Sequence, residues 1–174
     1  MLDSDLPHFT WKVLSELPVE DVAIQFPRDP KDSSKFCVVQ VTTKDGFQWI
    51  GNFTGIDNRY LSGVFPWPDP DRLCVVAGGN AYVVTVDNPD LYDELPVIPI
   101  IDMYNALEQG IILFATFSEI SAFAKTGPVW KTKNLAKDGI EIAEVKNGII
   151  YGITKSHNGD SEFRIDLRTG QQYK

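Results

Sequence analysis

The sequence has few of the residues that build metal sites and catalytic centres. It contains only two histidines and two cysteines, and neither a His-x-x-x-His nor a Cys-x-x-Cys spacing occurs, so a zinc site is not expected. The Gly-x-Ser-x-Gly turn of many serine hydrolases is missing, and Gly78-Gly79 lacks the Lys-Ser/Thr pair of a phosphate loop. We predict a chain with no cofactor and no metal that is not an enzyme. An enzyme with no recognisable motif stays an alternative.

Long hydrophobic runs are also missing. A run such as Ile111–Ala115 falls far short of the about 20 apolar residues that a membrane-spanning helix needs. Asp3 and Asp5 stand where a secretory signal carries basic residues before an apolar core. We therefore expect a cytoplasmic chain with no membrane partner. Cys37 and Cys74 each lie in an apolar run and are predicted to be buried, reduced thiols.

Basic residues are missing from the middle of the chain, because no Lys or Arg occurs between Arg72 and Lys125. The net charge of −8 and the pI near 4.7 argue against a nucleic-acid partner, since binding to nucleic acid requires a basic surface. Acidic residues concentrate in a turn-rich stretch, and a concentrated negative surface speeds association with a basic protein. The candidate partner-binding residues of this stretch are Asp87, Asp90, Tyr92, Asp93 and Glu94.

The segment just before Arg72 contains three closely spaced prolines and two aromatic residues. Prolines restrict the backbone and predict a stiff connection between strands. One interpretation is a connection whose aromatic side chains cover the core. The other is an exposed loop that offers two aromatic anchors beside two carboxylates. The candidate partner-binding residues of this loop are Phe65, Trp67, Asp69 and Asp71.

Most of the chain is predicted to form short strands separated by glycine-bearing turns. Lys44-Asp45-Gly46, Gly78-Gly79-Asn80 and Asn147-Gly148 each separate two apolar, β-branched runs, which is typical of hairpins. A fourth pair of runs surrounds Ser118-Glu119. Residues 162–168 alternate between apolar and charged side chains, which is the pattern of a half-buried antiparallel strand.

Helix signals are weak. The segment Thr10–Leu17 is predicted to form two helical turns, and Pro99–Gln109 a short helix that ends at Gly110. The sequence therefore predicts an all-β fold with minor α content. Its antiparallel sheets are expected to form a partial or small propeller-like stack or, alternatively, a β-sandwich. We expect one β-rich domain over residues 1–174, in which residues 1–32 form a possible N-terminal appendage.

The last third of the chain carries two recurrent patterns. Lys125-Thr126-Gly127 and Arg168-Thr169-Gly170 each end a strand with a basic residue, Thr and Gly, a pattern that resembles the repeat of quinoprotein-type β-propellers. The run from Gly127 to Gly170 also resembles the C-terminal part of a set of small bacterial proteins with no assigned activity. This resemblance implies a bacterial, β-rich, stand-alone protein and adds no catalytic residue. The matching residues are Trp130, Thr132, Leu135, Asp138, Gly139, Ile140, Ile142, Phe163, Ile165, Asp166, Leu167, Thr169 and Gly170.

These observations predict a non-catalytic protein-interaction module. Its most specific version is an immunity or antitoxin-like protein that covers a basic toxin surface with its acidic segment. The alternative is a small-molecule or glycan binder that uses Trp49, Trp67 and Trp130 as exposed stacking surfaces.

Overall fold

Short strands dominate the structure, as the alternation of β-branched runs and turns predicts. The structure, a computed structural model, describes residues 8–18, 22–28 and 37–173. The strands in these residues are β1 (Thr10–Leu14), β2 (Ile24–Phe26), β3 (Cys37–Thr42), β4 (Gln48–Phe53), β5 (Gly63–Pro66), β6 (Arg72–Ala77), β7 (Asn80–Thr85), β8 (Tyr92–Glu94), β9 (Asp102–Ala106), β10 (Ile111–Ala115), β11 (Ile120–Ala124), β12 (Gly127–Lys131), β13 (Ile140–Lys146), β14 (Ile149–Thr154) and β15 (Ser161–Asp166).

The four predicted hairpins are confirmed as β3–β4, β6–β7, β10–β11 and β13–β14. The tightest turns are Gly78-Gly79 and Asn147-Gly148, in which both residues have positive φ angles. Positive φ at both central residues defines the type I′ turn, whose twist matches that of the strands it joins. Local turn chemistry therefore determines these hairpins.

The described strands form four sheets, with orders β1-β3-β4-β2, β5-β6-β7-β8, β12-β11-β10-β9 and β13-β14-β15. Neighbouring strands are antiparallel except β2 and β4, which are parallel. In the last three sheets each strand pairs with its neighbour along the chain, whereas β1 and β2 join the outer sides of the β3–β4 hairpin. The predicted all-β fold of antiparallel sheets is confirmed. No helix in the described residues has the length and apolarity needed to cross a bilayer.

The chain divides into two compact units, Met1–Pro96 and Val97–Lys174. In the first unit the β1–β4 and β5–β8 sheets share an aromatic-rich core, which includes Phe26, Phe53, Trp49 and Tyr82. The rings of Phe26 and Phe53 are stacked, with centroids 4.4 Å apart. Two sheets packed through one apolar layer form a sandwich-like arrangement.

The second unit has its own core between the β9–β12 and β13–β15 sheets. Its buried residues are mainly aliphatic and include Leu113, Ile120, Ile150 and Ile165. One carboxylate also joins the two sheets, because Asp102 Oδ2 accepts the Ile142 N–H at 2.7 Å. The single β-rich domain over residues 1–174 stays a prediction.

Three predictions about local structure need correction. Thr10–Leu14 forms an edge strand instead of helical turns, because it pairs with β3 along its whole length. In the region 99–109 the structure has strand β9 and one turn of 3-10 helix, Leu107–Gln109; only the predicted end at Gly110, with φ 68°, is confirmed. In the described part of residues 1–32, β1 and β2 belong to the first sheet and so are not an appendage.

Candidate functional site

The predicted acidic residues of the first unit come together at one end of the β5–β8 sheet. Arg72 of β6 lies opposite Thr85 of β7 in an antiparallel pair, so the turn before β6 and the turn after β7 lie at the same end. The Val86 N–H donates to the Asp71 carbonyl at 3.0 Å and joins the two turns. We call the resulting group the acidic end: Asp69 and Asp71 from the first turn, Asp87 and Asp90 from the second, and Asp93 from the edge strand β8. Glu94 lies opposite Tyr82, farther from this end along β8.

Two carboxylates of the acidic end form ion pairs with arginines that lie outside residues 73–124. The Arg28 guanidinium forms an ion pair with Asp90, 62 residues away in the chain. Arg72 Nη2 donates to Asp93 Oδ2 at 2.6 Å. The acidic end is therefore less negative than the absence of Lys and Arg from residues 73–124 predicts. Only the tertiary structure brings these arginines close.

A small cleft of about 120 Å³ lies within the acidic end. Asp71 and Asp87 line it together with His8, Lys44 and neighbouring apolar groups. Both carboxylates are exposed. In the part of the chain that the structure describes, no group of three or more metal-ligating side chains is placed to hold an ion. The cleft therefore offers charged hydrogen-bonding groups to a partner, and its size suits a single side chain.

Two hydrophobic residues, Leu91 and Tyr92, lie in the same stretch of sequence as these carboxylates and differ in their exposure to solvent. The ring of Tyr92 packs edge-on against Phe26, with centroids 5.1 Å apart, and its hydroxyl accepts the Arg28 N–H at 3.2 Å. Tyr92 is thus mainly a core residue. Leu91 is 59% exposed and directly follows Asp90, and the sequence analysis missed it because an isolated Leu in a turn carries no pattern.

The proline-rich loop does not present the predicted pair of aromatic anchors. Trp67 is 4% exposed, and Phe65 is half-buried in β5, opposite Cys74. The interpretation in which the aromatics cover the core is therefore correct for Trp67. Of the two carboxylates of this loop, Asp71 is exposed and Asp69 is half-buried, and both stay in the acidic end.

The other tryptophans are not the predicted exposed stacking surfaces either. Trp49 is buried, and its Nε1–H donates to the Val86 carbonyl at 2.9 Å. Trp130 is half-buried, and its Nε1–H donates to the Leu167 carbonyl at 2.8 Å. The ring of Trp130 lies close to Gly170, because a Cβ atom added at Gly170 would lie 2.6 Å from a carbon of that ring. The prediction that these indole rings are exposed is therefore wrong for Trp49 and Trp67, and Trp130 is partly covered.

The motif at the end of β15 has a structural role. Asp166 Oδ1 accepts hydrogen bonds from the N–H groups of Arg168 and Thr169 and from the Thr169 hydroxyl, at 2.8 to 3.1 Å. These bonds, with that of the Thr169 hydroxyl first, lower the pKa of Asp166. Gly170 follows with φ 69° and turns the chain beneath Trp130. The Asp-Leu-Arg-Thr-Gly sequence is thus a stabilised turn.

An open groove of about 550 Å³ on the β13–β15 sheet was not predicted. Its lining includes Tyr151, Tyr173, Glu162 and Arg164. The Tyr173 hydroxyl donates to Asp166 Oδ2 at 3.2 Å, and this bond raises the pKa of Tyr173. The sequence gives little indication of this groove. Tyr151 and Arg164 lie opposite each other on the neighbouring strands β14 and β15, so the groove can be predicted only when the pairing of these strands is already known.

Both thiols are free and buried, as predicted. Burial raises the pKa of Cys37 to about 11 and also raises the pKa of Cys74, because the charged thiolate is disfavoured away from water. Nucleophilic cysteines have lowered pKa values and access to solvent. These two thiols therefore belong to the core.

Comparisons with known proteins add little to this geometry. No protein-family model matches the chain, and curated proteins give no significant match. Among solved structures, one described as "Crystal structure of the eukaryotic initiation factor" is similar, with 13% sequence identity and a TM-score of 0.48. The similarity covers 78% of this chain, which spans only 38% of that chain's length. At this level of similarity the match supports no inference about fold or function.

Proposed function

We propose that the protein is a non-catalytic protein-interaction module that binds a basic partner protein through the acidic end. The observation that carries this proposal is the convergence of carboxylates from two turns and one edge strand on a single end of the β5–β8 sheet. In its more specific form, the module is an immunity or antitoxin-like protein that covers the basic surface of a toxin. Negative surfaces of this kind accelerate encounter with a positive partner.

The ion pairs of the acidic end are compatible with partner binding. The Asp90 side chain is 83% exposed and that of Asp93 is 65% exposed. Exposed ion pairs contribute only about 0 to 1 kcal/mol each, so arginines or lysines of a partner can replace Arg28, whose side chain is 39% exposed, at little cost. The Arg72 side chain is only 21% exposed and also donates to the Val83 carbonyl, so its pair with Asp93 is the more persistent one. Leu91 supplies exposed apolar area between the two carboxylates, and a central apolar contact within a charged rim is common in protein interfaces.

The test is a charge reversal of three exposed carboxylates of the acidic end, Asp71→Lys, Asp87→Lys and Asp90→Lys, in one variant. A matched control variant reverses three exposed carboxylates elsewhere, Glu16→Lys, Glu108→Lys and Glu144→Lys, and so has the same net charge. Affinity capture from the native cell identifies the partner. Its dissociation constant is then measured by titration calorimetry with the wild type and both variants at low and high salt.

We expect the acidic-end variant to lose at least about tenfold in affinity, because close interfacial charges couple by about 1.5 kcal/mol or more. The control should bind within about twofold of the wild type after the difference in net charge is screened by salt. Equal losses in both variants, or capture of no protein partner, would contradict the proposal. Thermal melting of each variant verifies that the fold is intact.

A second candidate function is small-molecule binding in the groove of Tyr151 and Tyr173. The observation that favours it is the combination of two tyrosine rings with one Arg and one Glu side chain, which together offer stacking surface, donors and acceptors. A thermal-shift screen of saccharides and aromatic metabolites tests it. A ligand that raises Tm for the wild type but not for Tyr151→Ala would support this function, and no shift with any compound class would exclude it as the alternative.

A further inference from the structure

Four Asx-Gly steps occur in the described residues: Asp45-Gly46, Asp138-Gly139, Asn147-Gly148 and Asn158-Gly159. At such a step the glycine nitrogen can attack the side-chain carbonyl carbon of the preceding residue and close a five-membered succinimide ring. Glycine favours the attack because it has no Cβ and moves easily between backbone conformations. The reaction needs a free side-chain carbonyl group and a free glycine N–H.

Hydrogen bonds hold one reacting group in three of the four steps. The Gly46 N–H donates to the Thr43 carbonyl at 3.0 Å, and the Gly159 N–H donates to the Ser156 carbonyl at 3.0 Å. Asp138 Oδ2 accepts the His157 N–H at 2.9 Å. Each bond has to break before the ring can close, which lowers the population of reactive conformers.

Asn147-Gly148 differs from the other three steps. Asn147 is exposed at the tip of the β13–β14 hairpin, and within the described part of the chain neither its carboxamide nor the Gly148 N–H has a hydrogen-bond partner. Only the Gly148 carbonyl is engaged, because it accepts the Leu167 N–H at 2.9 Å. An added Cβ would meet nothing within 4 Å at Gly148, and the same is true at Gly46 and Gly159, so the difference between the steps lies in their hydrogen bonds.

We propose that Asn147 is a site of spontaneous deamidation that the fold favours over the other Asn-Gly step, Asn158-Gly159. The two Asp-Gly steps have no carboxamide to lose and can only isomerise. The Gly148 nitrogen attacks Asn147 Cγ, a new C–N bond forms, and the bond from Cγ to Nδ2 breaks. The Gly148 N–H proton passes through solvent to the leaving nitrogen, which departs as ammonia. Water then opens the succinimide at one of its two carbonyl carbons, giving Asp or isoaspartate. Water is the only co-reactant, and no atom changes its oxidation state.

Both products alter the hairpin that carries them. Each adds a negative charge at a tip that follows Lys146. The isoaspartate product also inserts an additional carbon atom into the backbone of a two-residue turn, whose closing pair is Lys146 and Ile149. The register of β13 and β14 depends on that turn length, so isoaspartate at position 147 should weaken the pairing that places Val145 and Ile150 at the core.

The experiment compares two asparagines of the same molecule. The full-length protein is incubated at mildly alkaline pH, and deamidation at Asn147 and Asn158 is followed by peptide mapping with mass spectrometry and an isoaspartate-specific methyltransferase assay. We expect Asn147 to react about fivefold faster, the factor that corresponds to the about 1 kcal/mol contributed by one backbone hydrogen bond. In denaturant the two rates should become similar, because both sequences are Asn-Gly.

Two outcomes would overturn the proposal. One is a rate at Asn158 equal to or above that at Asn147 in the folded protein. The other is a rate ratio that is the same in the folded and the denatured chain, which would assign the difference to local sequence instead of structure. The Asn147→Asp variant carries the charge without the additional backbone atom, and its melting temperature, compared with that of the aged protein, separates the two effects.

Discussion

The two units use the same layering with different side chains. The core of the first unit contains Phe26, Phe53, Tyr82 and Trp49, whose rings contact one another. The core of the second unit is built mainly from Ile, Leu and Ala. Aromatic rings have large buried areas and preferred pair geometries, whereas aliphatic side chains fill space with less directional preference. The same sheet-on-sheet packing therefore tolerates different core chemistry.

The units also differ in the order of their strands. In the first unit, β1 pairs with β3 and β2 pairs with β4, so two pairings join strands that are not neighbours along the chain. In the second unit the strands of each sheet follow one another along the chain. Strand pairings of the first kind generally form more slowly in folding. Long-range hydrogen bonds occur in both units, because the Tyr82 hydroxyl donates to the Thr54 carbonyl and the Ile142 N–H donates to Asp102.

The largest expected effect is on the aromatic core. Phe53→Ala should reduce the free energy of unfolding by about 3 to 5 kcal/mol, because Phe53 is fully buried and stacks on Phe26. Ile165→Val in the aliphatic core should cost only about 0.5 to 1.5 kcal/mol. Both are measured by denaturant unfolding. Similar losses for the two variants would mean that the aromatic cluster repacks around the cavity.

A second comparison uses one glycine in each unit. An added Cβ would lie 2.2 Å from the Ala77 carbonyl oxygen at Gly55 and 2.3 Å from the Glu141 carbonyl oxygen at Gly152. Because backbone atoms move less easily than side chains, we expect Gly55→Ala and Gly152→Ala each to cost about 1 to 3 kcal/mol. Thermal melting and denaturant unfolding measure these losses. If one of the two substitutions left the free energy of unfolding unchanged, the backbone of that unit would be the one that adjusts more easily to the added Cβ.

The control for the glycine variants is Gly46→Ala. Gly46 has φ 82° and open space around it, so the substitution tests backbone conformation without steric overlap. The left-handed region costs a non-glycine residue about 1 to 2 kcal/mol. Gly55 and Gly152 do not have positive φ angles, so their losses are assigned to the close contacts, whereas the loss at Gly46 measures the cost of the left-handed backbone alone.

The smallest effect concerns two half-buried carboxylates, Asp57 and Asp166, whose pKa values are lowered for different reasons. Hydrogen bonds from the Arg59 side chain, which is charged, bring the pKa of Asp57 to about 2. Neutral donors, first of all Thr169, lower the pKa of Asp166. A carboxylate with a lowered pKa stabilises the fold above its unfolded value of about 3.9, and the contribution disappears as the pH falls through the folded value.

We therefore expect high salt to raise the pKa of Asp57 and to leave that of Asp166 nearly unchanged, since salt screens the interaction between charges at the surface. Arg59→Gln should raise the pKa of Asp57, and Thr169→Val should raise that of Asp166. Carboxyl chemical shifts in an NMR titration measure both values. A salt response of equal size at the two residues would contradict the assigned causes.

The sequence correctly predicted those features of the fold that depend on residues close together in the chain. The hairpins at Lys44-Asp45-Gly46 and Asn147-Gly148 could be predicted because the turn residues themselves adopt the required φ angles. The strand β1 could not, since Thr10–Leu14 has no turn signal and becomes extended by pairing with β3. Similarly, the burial of Trp67 depends on what the rest of the first unit places around it.

The sequence alone determined the all-β class, the hairpins and the acidic composition of residues 73–124, because alternation, turn chemistry and charge are local properties of the chain. Only the tertiary structure decided which of those charges stay open, since Arg28 and Arg72 reach Asp90 and Asp93 through the folded sheet. It also decided that Trp49 and Trp130 are packing and hydrogen-bonding groups and that Trp67 is buried. Burial and pairing between distant residues follow from three-dimensional packing, which no local pattern encodes.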